Sequence, residues 1–136
     1  MIVADVNLVA YLVLGGSGQV LAQLVLKRDP VWAAPVLWRS EFLNVLAAYM
    51  RQRNLSVSDA WRAHGLAGQL FAGQEFTVPG ERVLELVAAS TCSAYDCEYV
   101  ALAGELDVPL ITADRQVLRA FPERAISPKD FVAGTA

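Results

Sequence analysis

Apolar residues along this chain come in two kinds of run, and their alternation is the first structural statement the sequence makes. Short runs of three to six, at residues 2–4, 31–36, 76–78, 108–112 and 125–127, have the length of strands buried on both faces. Between them lie longer stretches with helical spacing. Residues 8–14 and 19–28 predict two helices broken at Gly15-Gly16-Ser17-Gly18. From Leu37 to Arg53, Phe42, Val45, Leu46, Tyr49 and Met50 fall on one face, and Asn54 marks the end. Ser56 to Asp59 is a capping-box-like start for a helix reaching to about Gly73. Residues 81–90 and 95–106 predict two more, the second opened by Ser93-Ala-Tyr-Asp96, and a short one spans about 116–120. The tail beyond Ser127 is expected to be partly frayed. Strands alternating with helices imply an α/β fold with a short, mostly parallel central sheet and helices on both faces, three layers in all. One domain over residues 1–136 is expected, with no repeat, linker or low-complexity tract.

Composition narrows this further. Of 136 residues 55% are hydrophobic and 18% charged, which excludes intrinsic disorder. The apolar fraction is high enough to suggest that a partner covers some surface. The longest unbroken apolar run, residues 8–14, is seven long, far short of the roughly 20 needed to cross a bilayer. The opening MIVADVN lacks a basic region and does not read as a signal peptide, so a cytoplasmic protein without membrane association is expected. Cys92 and Cys97 fit neither a C-x-x-C redox motif nor a zinc site and read as reduced structural thiols.

The candidate chemistry lies where apolar strands end, because open parallel sheets bind ligands beyond the carboxyl ends of their strands. Asp5 follows the first strand and Asp114 the fourth, and right-handed crossovers bring both ends to one edge. Glu41 and Asp96 fall in first turns of helices that can face that edge. Each has a plainer reading. Glu41 suits a helix dipole, Asp96 a capping box with Ser93, and Asp114 a cap, whereas Asp5 has little structural excuse. Glu75, Glu81, Glu85, Glu98, Glu105 and Asp107 read as solvated. If the four converge, carboxylates about 5 Å apart repel by roughly 3 kcal/mol per pair at an effective dielectric near 20. Lys27 and Lys129 are the only lysines, and no base obviously sits among the acids. A divalent cation would resolve the conflict, and Mg²⁺ or Mn²⁺ on a few carboxylates suits hydrolysis of a phosphodiester.

The segments IVADVN, WRSEFLNVL and SAYDCEYVALAGELDVPLITADRQVLRAFP together resemble PIN-domain ribonucleases, in particular the VapC toxins of VapBC-type toxin–antitoxin modules. The resemblance covers nearly the whole chain and is thinnest between about 54 and 78. It implies a PIN-like fold, with Asp5, Glu41, Asp96 and Asp114 holding Mg²⁺ or Mn²⁺ to cleave RNA. It also implies a cognate antitoxin and a homodimer. Asn7 and Thr112 are supporting candidates, and Asn44 lies one helical turn beyond Glu41. Val6 departs from the small residue usual between Asp5 and Asn7.

RNA affinity comes largely from neutralised phosphates, so 14 acids against 11 bases is an awkward balance. Arg39, Arg115 and Arg119 stand near the acids in sequence and are the candidates for an RNA-binding rim. Trp32, Trp38 and Trp61 read as core or interface residues, and His64 as a packing or surface residue without a catalytic role. Two rival functions follow from the same pattern: a non-catalytic interaction module on this fold, and an aspartate-nucleophile phosphatase. The phosphatase wants an acid two residues after Asp5, where Asn7 stands, and a lysine near Asp114.

Overall fold

The computed structural model describes residues 1–134. Five short strands, β1 (Ile2–Ala4), β2 (Trp32–Pro35), β3 (Glu75–Phe76), β4 (Leu110–Ile111) and β5 (Ala125–Ile126), form one sheet in the order β3-β2-β1-β4-β5. Every pairing is parallel. β1 is therefore central, which is why its three residues are fully buried and purely apolar. Helices α1 (Val6–Leu14), α2 (Gln19–Arg28), α3 (Trp38–Arg53), α4 (Val57–Leu70), α5 (Gly80–Ala88), α6 (Ala94–Leu106), α7 (Arg115–Ala120) and α8 (Pro128–Ala133) surround it. This is the α/β arrangement expected from the sequence, a short parallel sheet set among helices.

The core is built from the inward faces of these helices on the strands, with Trp32, Trp38, Phe42 and Phe71 among its largest fully buried side chains. α1 and α2 meet at 109°, a bend set by Gly15, whose φ of 83° ends α1, and by Gly18, where a Cβ would stand 2.7 Å from the Tyr11 ring. Asn54 closes α3 in the left-handed conformation, as its place in the sequence suggests. Cys92 and Cys97 are buried free thiols. Trp32 and Trp38 are core residues, whereas Trp61 is exposed and stacks on the buried ring of His64, itself stacked on Trp38. No single helix among the described residues is long and apolar enough to cross a membrane.

Four expectations shift. β3 lies at Glu75–Phe76 rather than 76–78, because β2, its only neighbour, ends at Pro35. α4 stops at Leu70, short of Gly73. The apolar run 108–112 contributes only Leu110–Ile111 as regular strand, although hydrogen bonds to β1 and β5 extend from Pro109 to Thr112. The tail is not frayed through residue 134: Ser127 caps α8 through the Asp130 amide, Pro128 takes the first turn, and Arg28 sits over the Phe131 ring. Ser-Pro-Lys-Asp at 127–130 is itself a helix-start signal that the tail reading passed over. The part of that expectation concerning residues 135 and 136 lies outside the described residues.

Candidate active site

Crossover helices run antiparallel to the strands they connect, so the N-termini of α1, α3, α6 and α7 all stand at the carboxyl edge of the sheet. Each carries one of the four acids. Asp5 is the N-cap of α1, Glu41 and Asp96 lie in the first turns of α3 and α6, and Asp114 is the N-cap of α7. Partial positive charge at four helix ends eases the repulsion without cancelling it.

Thr112 ties two of the acids together. Its hydroxyl donates to Asp5 Oδ2 at 2.8 Å across 107 residues of sequence, and the same oxygen accepts from the Asp114 amide at 3.1 Å. Asp5 Oδ1 accepts from the Asn7 amide at 3.3 Å, so Asp5 has the capping role its sequence context did not suggest. Asp114 Oδ1 accepts from the amides of Gln116 at 2.9 Å and Val117 at 3.2 Å. Ser93, rather than Asp96, caps α6, accepting from the Asp96 amide at 3.1 Å.

The acids sit close enough to perturb one another. Burial raises the Asp5 pKa, the Thr112 and Asn7 hydrogen bonds pull it back, and Asp96 and Asp114 add repulsion that raises it. Burial also raises Asp96, and Asp114 raises it further. Glu41 is raised by burial and by Asp5, Asp96 and Glu98, against the lowering influence of the Tyr99 hydroxyl beside it. Glu41 Oε1 and the Tyr99 hydroxyl are both buried, yet neither has a partner in hydrogen-bonding geometry. Their proximity is felt electrostatically: Tyr99 is driven far above its ordinary pKa by burial and by Glu41.

Asp5, Glu41, Asp96, Tyr99 and Thr112 line a cavity of about 30 Å³, with Leu110 and Val117 completing its lining. Such a space holds one water or one bare ion. Its donors are hard oxygens, one of them an orphaned carboxylate oxygen, and no basic side chain lines it. By donor type, charge and size the cavity fits a divalent cation. Among the described residues no three acidic, Cys or His side chains are already closed round one ion position.

The supporting candidates separate. Thr112 is buried and central; Asn7 reaches Asp5 through its backbone, while its exposed side chain lines a neighbouring groove with Val6, Ser40, Glu41, Asn44 and Tyr95. Val6 begins α1 rather than continuing the strand. The three arginines do not meet at the acids. Arg39 makes two 2.7 Å bonds to Glu75 and lies over Trp38. Arg115 lines a separate groove with Leu8, Tyr11, Leu118 and Lys129, and Arg119 is exposed in the last turn of α7. Two acids read as solvated are not: Glu75 is the Arg39 partner, and half-buried Glu98 raises Glu41. Tyr99 was the functional neighbour hardest to see, although its spacing of three from Asp96 puts both on one helix face.

No protein-family model matches this chain, and no curated protein matches it in sequence. Solved structures do match in shape. PAE2754 from Pyrobaculum aerophilum superposes with a TM-score of 0.76 over 98% of this chain and 94% of its own, at 19% identity. FitAcB from Neisseria gonorrhoeae gives 0.74 over 95% and 99%, at 15% identity. A toxin–antitoxin complex from Klebsiella pneumoniae gives 0.69 over 94% and 98%, at 18% identity. At these identities the shared property is the fold, and it is shared along nearly the full length of each chain.

Proposed function

We propose that this chain is a metal-dependent endoribonuclease that hydrolyses RNA phosphodiester bonds and acts as the toxin of a toxin–antitoxin pair. The observation that carries the reading is the convergence of Asp5, Glu41, Asp96 and Asp114 from four distant parts of the chain onto one sheet edge, with no basic side chain among them. Left unneutralised, the repulsion within such a cluster costs stability that the helix caps of Asp5 and Asp114 only partly offset, and a bound cation would remove it. Support for the toxin assignment comes from the fold shared with the toxin–antitoxin complex from Klebsiella pneumoniae.

In this reading Asp5 and Asp96, which line the cavity, and Asp114, which stands outside its lining at the same sheet edge, would hold Mg²⁺ or Mn²⁺, with Glu41 binding directly or through water. The ion, when bound, lowers the pKa of a water and offsets charge on the phosphate in the transition state. The chain supplies the rest. Thr112 fixes the Asp5 carboxylate and the Asp114 backbone in one hydrogen-bonded unit, so the two acids keep their spacing. Four helix N-termini place partial positive charge along the edge where the acids stand. Tyr99 favours ionised Glu41 and lines the cavity beside it.

An antitoxin and a second copy of the chain are the proposed partners. Exposed Leu43, Val57, Trp61 and Leu66 on α3 and α4 are apolar surface for them to cover. Light scattering of the purified chain tests the dimer, and a monomer at micromolar concentration overturns it. Cleavage of RNA with Mg²⁺ or Mn²⁺, repeated with EDTA and with Asp5→Asn, tests the enzyme. Cleavage indifferent to both removes the mechanism. The alternative, a non-catalytic module on the same fold, predicts no heat on titration with Mn²⁺; the enzyme predicts binding that Asp96→Asn removes.

A further inference from the structure

Beside the acid cavity, and sharing Glu41 with it, runs a groove of about 430 Å³, within the size range of small-ligand sites. Leu37, Ser40, Glu41, Asn44 and Val45 recur at intervals of three and four, so one face of α3 forms its wall. Val6 and Asn7 from the start of α1 and Tyr95 from the start of α6 complete its lining. The floor is apolar, through Val6, Leu37 and Val45. The rim is polar but uncharged apart from Glu41: Asn7, Ser40 and Asn44 offer amide and hydroxyl donors and acceptors.

Tyr95 is the unusual member. It stands one residue before Asp96 and is 61% exposed, and its ring meets no other aromatic ring among the described residues. Its ring is therefore free to meet a ligand lying in the groove that it lines. Neither groove nor cavity is lined by Lys or Arg, so phosphate neutralisation by side chains cannot supply the affinity here. What the groove can supply is stacking and edge hydrogen bonding, the means by which unpaired bases are held.

We propose that this groove takes the nucleotide next to the cleaved phosphodiester, its base stacked on Tyr95 and its base edge or ribose hydroxyl met by Asn7, Ser40 and Asn44. A base stacked on a side chain must be unpaired, so the RNA is unpaired at the nucleotide that occupies this groove. The inference rests on the ribonuclease reading for its neighbour, and the test separates the two.

Binding is measured by fluorescence anisotropy in Mg²⁺ on the Asp5→Asn chain, which keeps the Thr112 acceptor and does not cut, using a fluorescein-labelled unstructured 20-nucleotide RNA of mixed sequence. Adding Tyr95→Ala weakens binding by about 5- to 100-fold, the range of one lost base stack. Tyr95→Phe stays within about twofold, and the blunt duplex of the same sequence binds at least about tenfold more weakly. In the otherwise unaltered chain, Tyr95→Ala leaves Mn²⁺ affinity and Tm unchanged, which shows that metal site and fold are intact. Tyr95→Ala binding within twofold of its parent, or duplex binding as well as single strand, overturns the groove even if the unaltered chain cuts RNA. Binding that depends on Tyr95 together with no cleavage by the unaltered chain overturns the ribonuclease and leaves the groove standing. No RNA binding at all removes the groove as a nucleotide site and leaves it to a polypeptide partner.

Discussion

Glu41 and Glu75 lie at the same end of α3 and have opposite surroundings. Glu75 receives two bonds from Arg39 and one from the Trp38 indole at 2.9 Å, and the Arg39 hydrogen bond chiefly holds its carboxyl below the usual range. Glu41, two residues beyond Arg39, faces the other way, into Asp5 and Asp96, with an orphaned oxygen and a raised pKa. One glutamate is compensated and joins β3 to α3. The other is left uncompensated although Arg39, bonded to Glu75, stands two residues away in sequence. A chain able to pair one acid this completely has not paired four others at the sheet edge, and that contrast points to an ion or substrate as their counter-charge.

The sharpest way to break the contrast is to remove an acid from the edge. Asp5→Asn or Asp96→Asn is expected to lower metal-dependent RNA cleavage by at least about 100-fold in a gel assay, since a ligand is lost outright. Retained cleavage would show that these acids are structural, like Glu75. Next in size is the ion itself. Mn²⁺ at about 100 times its dissociation constant should stabilise the folded chain by about 2.7 kcal/mol, read as a rise in Tm that EDTA reverses.

Without metal the sign inverts. Asp5, Glu41 and Asp96 have raised pKa values in the folded state, so on raising the pH the unfolded chain ionises first. Their contribution to stability is fully present below ordinary carboxylate pKa values, falls as pH rises through the folded values, and then levels off. Asp5→Asn removes one such charge while keeping an acceptor for Thr112. In EDTA at pH 7.5 it should therefore raise Tm by about 3–6 °C, with a smaller gain at pH 4. A lower Tm at pH 7.5 would mean that the carboxylate is worth more as a cap than it costs as a charge.

Two smaller effects sharpen the comparison. Tyr99→Phe removes the hydroxyl that favours ionised Glu41, so the acidic limb of the cleavage profile should move to higher pH; an unmoved limb would separate Tyr99 from the chemistry. Glu75→Gln breaks the compensated pair and should lower Tm by only about 1–3 °C, with cleavage within twofold. A large loss of cleavage would instead place Arg39 on the substrate path.

Much of this was legible beforehand, for reasons that differ by residue. Strand ends and helix starts are written locally, as apolar runs closed by Asp and as Ser-x-x-Asp caps, so β1, α3, α6 and the places of Asp5, Asp96 and Asp114 could be read directly. The α8 signal was equally local and simply outweighed by its position near the terminus. Arg39 beside Glu41 in sequence was misleading because residues two apart on a helix point to different faces. Glu75 as its partner depends on β3 lying next to α3, a fact of topology 36 residues away.

The sequence by itself determined the alternation of elements, hence a parallel sheet with one carboxyl edge, and it put an acid at each of four helix starts that the handedness of crossovers sends to that edge. Spacing along a helix or strand fixes such features within a few residues. Only the tertiary structure decided that Thr112 hydrogen-bonds Asp5 and the Asp114 backbone, that Tyr99 lines the cavity beside Glu41, that Arg39 is spent on Glu75, and that Tyr95 stands bare over a groove beside the acids. Those are relations between segments distant in the chain, set by how helices pack on the sheet, and no local periodicity encodes which side chains then meet.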